Sequence, residues 1–274
     1  MWLSWDLAAV LAIALAAPGL VARWWPSGRP RSSVVAFTTE ASLVAALYAV
    51  WQLVGTFPAR KALRATDHGL WVWHLEQRLH LADELSLERL VLRHPLLVQA
   101  ANGYYAIVHV PALGVFLVWL YFRHHDRYPF YRNVLAVLTF VCFVIHLFPV
   151  APPRLIPGLG FVDTGLLYHQ SVYGPLGAGI SDQVSAMPSL HVGWACLIAA
   201  AVIHVGRGRW RWLILLHPAL TLLAVVVTAN HFWLDGIVAA GLLGLSVLAV
   251  QAAGALVTRR DQPAPVPEPV ASGV

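Results

Sequence analysis

Seven long apolar runs decide what this chain can fold into: Trp2–Ala22, Ser33–Gly55, Leu96–Phe122, Asn133–Val150, Ser189–Val205, Trp212–Thr228 and Phe232–Val257. A helix needs roughly 20 mostly apolar residues to cross the hydrocarbon core of a bilayer. Inside that core every backbone N–H and C=O must be satisfied within the protein, which leaves helices or closed barrels. Runs of this length point to helices, with the fifth borrowing residues from its preceding loop. Only 11% of the residues are charged against 59% hydrophobic, too little charge to cover a soluble domain. The expected fold is therefore all-α, a polytopic transmembrane helical bundle.

Arginine placement orients the bundle. Arg23, Arg29 and Arg31 follow the first run, Arg123, Arg127 and Arg132 the third, Arg207, Arg209 and Arg211 the fifth, and Arg259 and Arg260 the seventh. Basic clusters of this kind belong on the cytoplasmic side, so the connections 60–95, 151–188 and 229–231 face outward. The same clustering between apolar runs explains the net charge of +5 and argues against a nucleic-acid partner. The N-terminal run starts with Asp6 and no basic residue and has its arginines behind it, the reverse of a signal peptide, so it reads as a retained helix. The connection 60–95 is different in kind. Trp71, Trp73, Leu75, Leu79, Leu85, Leu87 and Leu90 alternate with eleven charged residues, which fits one or two amphipathic helices in the membrane interface. Trp24–Trp25 and Trp71–Trp73 are interface anchors. The organisation expected is an extra N-terminal helix with its basic loop over 1–32, a membrane domain over 33–258, and a disordered Pro-rich tail over 259–274. Cys142 and Cys196 lie within apolar runs and give neither a disulfide framework nor a zinc site.

Polar chemistry concentrates in the outward connections. Ser185-Ala186-Met187-Pro188-Ser189-Leu190-His191 runs into the fifth span. Pro188 suits a first helical turn, whose free N–H groups and dipole attract an anion, with Ser189 and His191 beside them. Taken alone, this stretch reads better as a capping serine and an interfacial histidine. Asn230-His231-Phe232-Trp233-Leu234-Asp235 opens the seventh span. His231 and Asp235 are four residues apart and share a helical face. A carboxylate accepting from Nδ1–H leaves Nε2 with a free lone pair, suited to act as base or nucleophile. An acid inside a span is functional by default. The connection between them carries Pro152-Pro153-Arg154 and six glycines (Gly158, Gly160, Gly165, Gly174, Gly177, Gly179), with Arg154 its only arginine or lysine. One arginine, two histidines and a helix N-terminus make a phosphate site; by itself Arg154 is as readily a snorkelling side chain.

The arginine after prolines, the Pro-Ser-x-His helix start and the His-x-x-x-Asp sequence together resemble the type 2 phosphatidic acid phosphatase superfamily. Ala151-Pro152-Pro153-Arg154, Pro188-Ser189-Leu190-His191 and Asn230–Asp235 are similar in detail to its aureobasidin-resistance, or inositol phosphorylceramide synthase, branch. Asn102, Tyr105, His109 and Pro111 resemble a polar motif of that branch and, with Asn230, mark a possible pocket. The resemblance spans roughly Leu96 to Gly244. It implies a six-helix phosphatase-type core and no metal or other cofactor. It also implies catalysis by His231, His191 and Asp235 through a phospho-histidine, with Arg154 and Ser189 holding phosphate. The implied setting is a bacterial plasma membrane with a lipid phosphate or phospholipid as substrate. Two departures bear on that substrate. Leu147 stands where the superfamily has a lysine and Val225 where it has an arginine. Fewer cations suit a monoanionic phosphodiester better than a dianionic monoester, which leans toward headgroup transfer of the inositolphosphotransferase kind. The rival expectation is a non-enzymatic lipid-phosphate carrier using the same anion pocket. Of the remaining polar residues, Glu40 is expected to pair with His146, line the pocket or, equally, make a structural hydrogen bond, and His124-His125 to be solvated.

Overall fold

A computed structural model describes residues 4–23, 33–55, 62–171 and 183–260 of the chain. Trp24–Trp25, the glycines 174, 177 and 179, and the Pro-rich tail from residue 261 lie outside the described residues. Eleven α-helices are described: α1 (Trp5–Arg23), α2 (Ser33–Gly55), α3 (Ala62–Arg78), α4 (Glu84–Leu92), α5 (Pro95–Ile107), α6 (His109–Arg123), α7 (Tyr128–His146), α8 (Thr164–Leu167), α9 (Leu190–Val205), α10 (Leu216–Val227) and α11 (Trp233–Arg260). Short 3-10 segments cover Pro153–Leu155 and Arg209–Leu215. No strand occurs among the described residues, only an isolated parallel bridge between Val150 and Ser185. The chain is an all-α polytopic helical protein.

Among the described residues, four helical segments are long and apolar enough to cross a bilayer: Ser33–Val50, Tyr128–His146, Arg209–Val227 and Trp233–Leu256. The pair α5 and α6 makes a fifth, bent by 48°. The bend follows from Pro111, which lacks an N–H and whose ring collides with the carbonyl four residues back, at Ile107. The first and fifth runs form the shorter apolar helices Trp5–Val21 and Leu190–Val205. Several boundaries differ from those read in the sequence. The fourth helix starts at Tyr128 and stops at His146, the sixth begins as a 3-10 segment at Arg209, and α11 continues to Arg260, past the expected end at Val257.

The main core joins α6, α7, α9 and α11 through Leu120, Leu138, Leu197 and Leu243. α1 packs along α2, and Phe37 of α2 stacks on Tyr121 and Phe122 of α6. Glu40 pairs with Arg132, the structural bond among the readings its sequence left open, while His146 Nε2–H donates to the Pro188 carbonyl at 3.0 Å. The reason is position: Glu40 sits about two turns into α2, level with the first turns of α7, whereas His146 ends α7.

The segment 60–95 folds as two helices, α3 and α4, which pack over the N-terminal end of α11. Gly69 of α3 crosses so closely over the segment after α7 that a Cβ there would stand 2.6 Å from the Ala151 carbonyl oxygen. Trp71, Leu79 and Leu90 remain exposed, an apolar outer face suited to the interface. The inner face departs from a simple amphipathic pattern, because Glu76, Glu84 and Glu88 are all buried.

Candidate active site

The site assembles where the first turn of α9, the loop 228–232 and the segment 149–156 meet. Val150 bonds to the stretch entering α9, its N–H donating to Val184 O at 2.8 Å and its carbonyl accepting from Ala186 N at 3.1 Å. This clamp aims the Ala186 carbonyl at His231. A carbonyl only accepts, so its 2.7 Å contact with His231 Nδ1 places the proton on Nδ1. The same N–H lies 3.1 Å from Asp235 Oδ2, which also receives the Phe232 N–H at 2.9 Å. Asp235 is fully enclosed and His231 is 6% exposed. His231 is thus held as the Nδ1–H tautomer from two directions, with Nε2 left for chemistry.

Arg154 is not a snorkelling side chain. Its side chain is 3% exposed. Nε–H donates to Asn230 Oδ1 at 2.9 Å and Nη1–H to Asp163 Oδ2 at 2.8 Å. Its backbone N–H donates to Ala229 O at 3.1 Å. Asn230, adjacent to His231, therefore ties the arginine to the His-x-x-x-Asp turn and spends its own amide N–H groups on Thr228. Asp163 carries no sequence signal linking it to Arg154.

His191 faces His231 with ring centroids 6.0 Å apart. Behind it stand Tyr105 at 4.6 Å and His109 at 4.7 Å. His109 is 4% exposed and lies 6.3 Å from His217, which bonds to the Tyr104 hydroxyl at 2.8 Å. Two expectations need correction. Pro188 precedes the helix rather than opening it; Ser189 is the N-cap, its buried Oγ accepting from Val192 N at 3.4 Å. A proline before the cap still leaves the Leu190 and His191 amides without intrahelical acceptors. Asn102 is not part of an open pocket: it donates to Thr164 O at 3.1 Å and accepts from Thr164 Oγ1–H at 3.0 Å, bracing α8. The positions of the departed cations are apolar in space as well as in sequence. Leu147 is exposed, while Val225 is fully buried against Val192 and Val226, with no room for a guanidinium.

A family model described as the PAP2 superfamily matches residues 70–249. That stretch holds every element of the site. The chain belongs to the PAP2 superfamily. Membership carries phosphatase-type chemistry on lipid phosphates and an integral-membrane setting, in keeping with the apolar helices. Comparison with curated proteins and with solved structures gives no match. Within this PAP2 protein the three motifs converge at one end of the bundle. The connections after α6 and α9 meet at the opposite end, where Tyr131 bonds to His204.

Proposed function

We propose that the protein is a phosphatase or phosphotransferase of lipid-linked phosphate, working at the extracytoplasmic face, with a preference for phosphodiester headgroup transfer of the inositolphosphotransferase kind. Neutral His231 attacks phosphorus through Nε2 while protonated His191 gives its proton to the leaving oxygen and becomes neutral. The phospho-histidine is then attacked by water or an alcohol, whose proton passes to His191, and the P–N bond breaks. Arg154 and the Leu190 and His191 amides hold the phosphoryl oxygens; Ser189 serves them indirectly, as the cap that fixes this turn. The observation that carries the reading is the pair of acceptors on His231 Nδ1, Ala186 O at 2.7 Å and Asp235 Oδ2 at 3.1 Å. A binding site for phosphate gains little from an oriented neutral imidazole, which weighs against a passive carrier. The single arginine, already paired with Asp163, supports a substrate of low charge.

Purified protein is to be screened against labelled lipid phosphates and phospholipids, with and without alcohol acceptors, and quenched for acid-labile phosphate on His231. Turnover with a His231-bound intermediate is expected, faster on diesters with an alcohol present. Tight lipid binding without turnover would replace this reading with the carrier.

A further inference from the structure

The interfacial hairpin α3–α4 reaches the site through three carboxyl groups. Glu76 Oε1 accepts the Leu234 N–H at 2.7 Å, and Glu84 Oε1 accepts the Trp233 N–H at 2.8 Å. With Asp235 Oδ2 on the Phe232 N–H at 2.9 Å, carboxyl oxygens serve three successive amides at the start of α11. These amides have no acceptor inside their own helix. Glu88 Oε1, one turn along α4, accepts the Val162 N–H at 3.0 Å. Val162 adjoins Asp163, the ion-pair partner of Arg154. All three glutamates are at most 2% exposed.

Burying carboxyl groups only to cap a helix is costly, and a serine or threonine does the same work. What distinguishes this arrangement is its reach, because a single hairpin grips both the turn of the histidine and the loop of the arginine. The geometry points to Glu76, Glu84 and Glu88 as positioning residues that set the His231–Asp235 turn and the Asp163–Arg154 pair in register with each other. The inference rests on the catalytic roles proposed above. Burial raises all three well above the usual carboxylate range. Glu76 and Glu84 lie against each other and Glu84 is raised the further, so at neutral pH one proton stays in the pair. Glu88 is pushed up to about 7 by the same burial. A neutral amide is therefore a close substitute at Glu84, since its carbonyl accepts the same N–H.

The test uses the full chain in lipid nanodiscs, with steady-state kinetics and amide exchange measured together. Glu84→Ala is expected to lower kcat at least tenfold with KM unchanged, and to speed exchange in peptides covering 229–236. Glu84→Gln is expected to recover most of both. Glu88→Ala acts through the other half, raising KM several-fold with little change in kcat and speeding exchange over 158–164. Wild-type kcat in Glu84→Ala, or unchanged exchange at both segments, overturns the clamp. So does Glu84→Gln failing as badly as alanine, which would make the charge the active feature. Where an alanine variant does not fold, Glu84→Gln and Glu88→Gln decide through the same local exchange. A wild-type protein without turnover would overturn the catalytic reading, while exchange would still decide whether the hairpin holds the two segments.

Discussion

Asp235→Asn tests how His231 is oriented. In a Ser-His-Asp triad the equivalent change costs ~10,000-fold in kcat, because the amide leaves the imidazole in the wrong tautomer. Here the shorter of the two contacts on Nδ1 is a backbone carbonyl, Ala186 O at 2.7 Å, which no substitution at residue 235 alters. That carbonyl holds the proton on Nδ1 by itself. What Asn removes is a charge-assisted hydrogen bond, worth roughly 1.5–3 kcal/mol, which converts to a loss of about 10- to 150-fold. The Phe232 N–H keeps an acceptor if the asparagine oxygen turns toward it. The assay is kcat on a lipid phosphate and on an aryl phosphate, with thermal unfolding of the same preparations as the folding control. A loss near 10,000-fold in a folded protein would mean that Asp235, and not the Ala186 carbonyl, sets the tautomer. Unaltered kcat would remove Asp235 from the site.

The other expectations follow from the same geometry. His231→Ala abolishes turnover and phospho-enzyme, whereas His191→Ala keeps measurable activity on aryl phosphates, whose leaving groups need little protonation; equal loss on both substrates would cancel the separation of roles. Activity survives a strong chelator, and loss restored by a divalent ion would sink the histidine mechanism as written. Introduced cysteines at Leu166 and Trp210, both exposed, label from opposite sides of the membrane in a cysteine-free background, with Leu166 accessible from outside. For Glu88 the folded pKa of about 7 stands above its unfolded value, so the folded protein binds more protons and stability falls as pH rises toward 7. Unfolding measured from pH 5 to 8 is expected to show that slope, and Glu88→Gln to reduce it, with Glu76 and Glu84 supplying what remains; an unaltered slope would place the titration elsewhere.

Spans and motifs were legible because both are written locally. Apolar run length marks the helices, and His231 with Asp235 lies within a single turn. The bend at Val108, by contrast, is not marked by run length, which continues unbroken from Leu96 to Phe122. The Ala186 carbonyl was not legible, since a backbone acceptor leaves no mark on residue type and depends on the bridge between Val150 and Ser185. Asp163 was equally hidden, because its pairing with Arg154 is set by the path of a loop. The buried glutamates left a partial trace: Glu84 and Glu88 stand four apart and share one face of α4, but the abundance of charge around them masked the face they occupy. Ser189 and Asn102 are legible as polar residues near the motifs, but the partners of their side chains are not. Their hydrogen-bonding atoms face a helix turn and Thr164.

The ion pair of Arg154 with Asp163 has a kinetic consequence. Two opposite charges 2.8 Å apart nearly cancel beyond a Debye length of about 8 Å in physiological salt. With apolar residues at positions 147 and 225, these phosphate-binding groups cast little attraction of their own into the aqueous phase. Substrate then arrives by two-dimensional diffusion within its own leaflet, guided by its acyl chains. Rates should accordingly track the mole fraction of substrate in the bilayer, respond to dilution with inert lipid, and stay nearly level as bulk salt is raised.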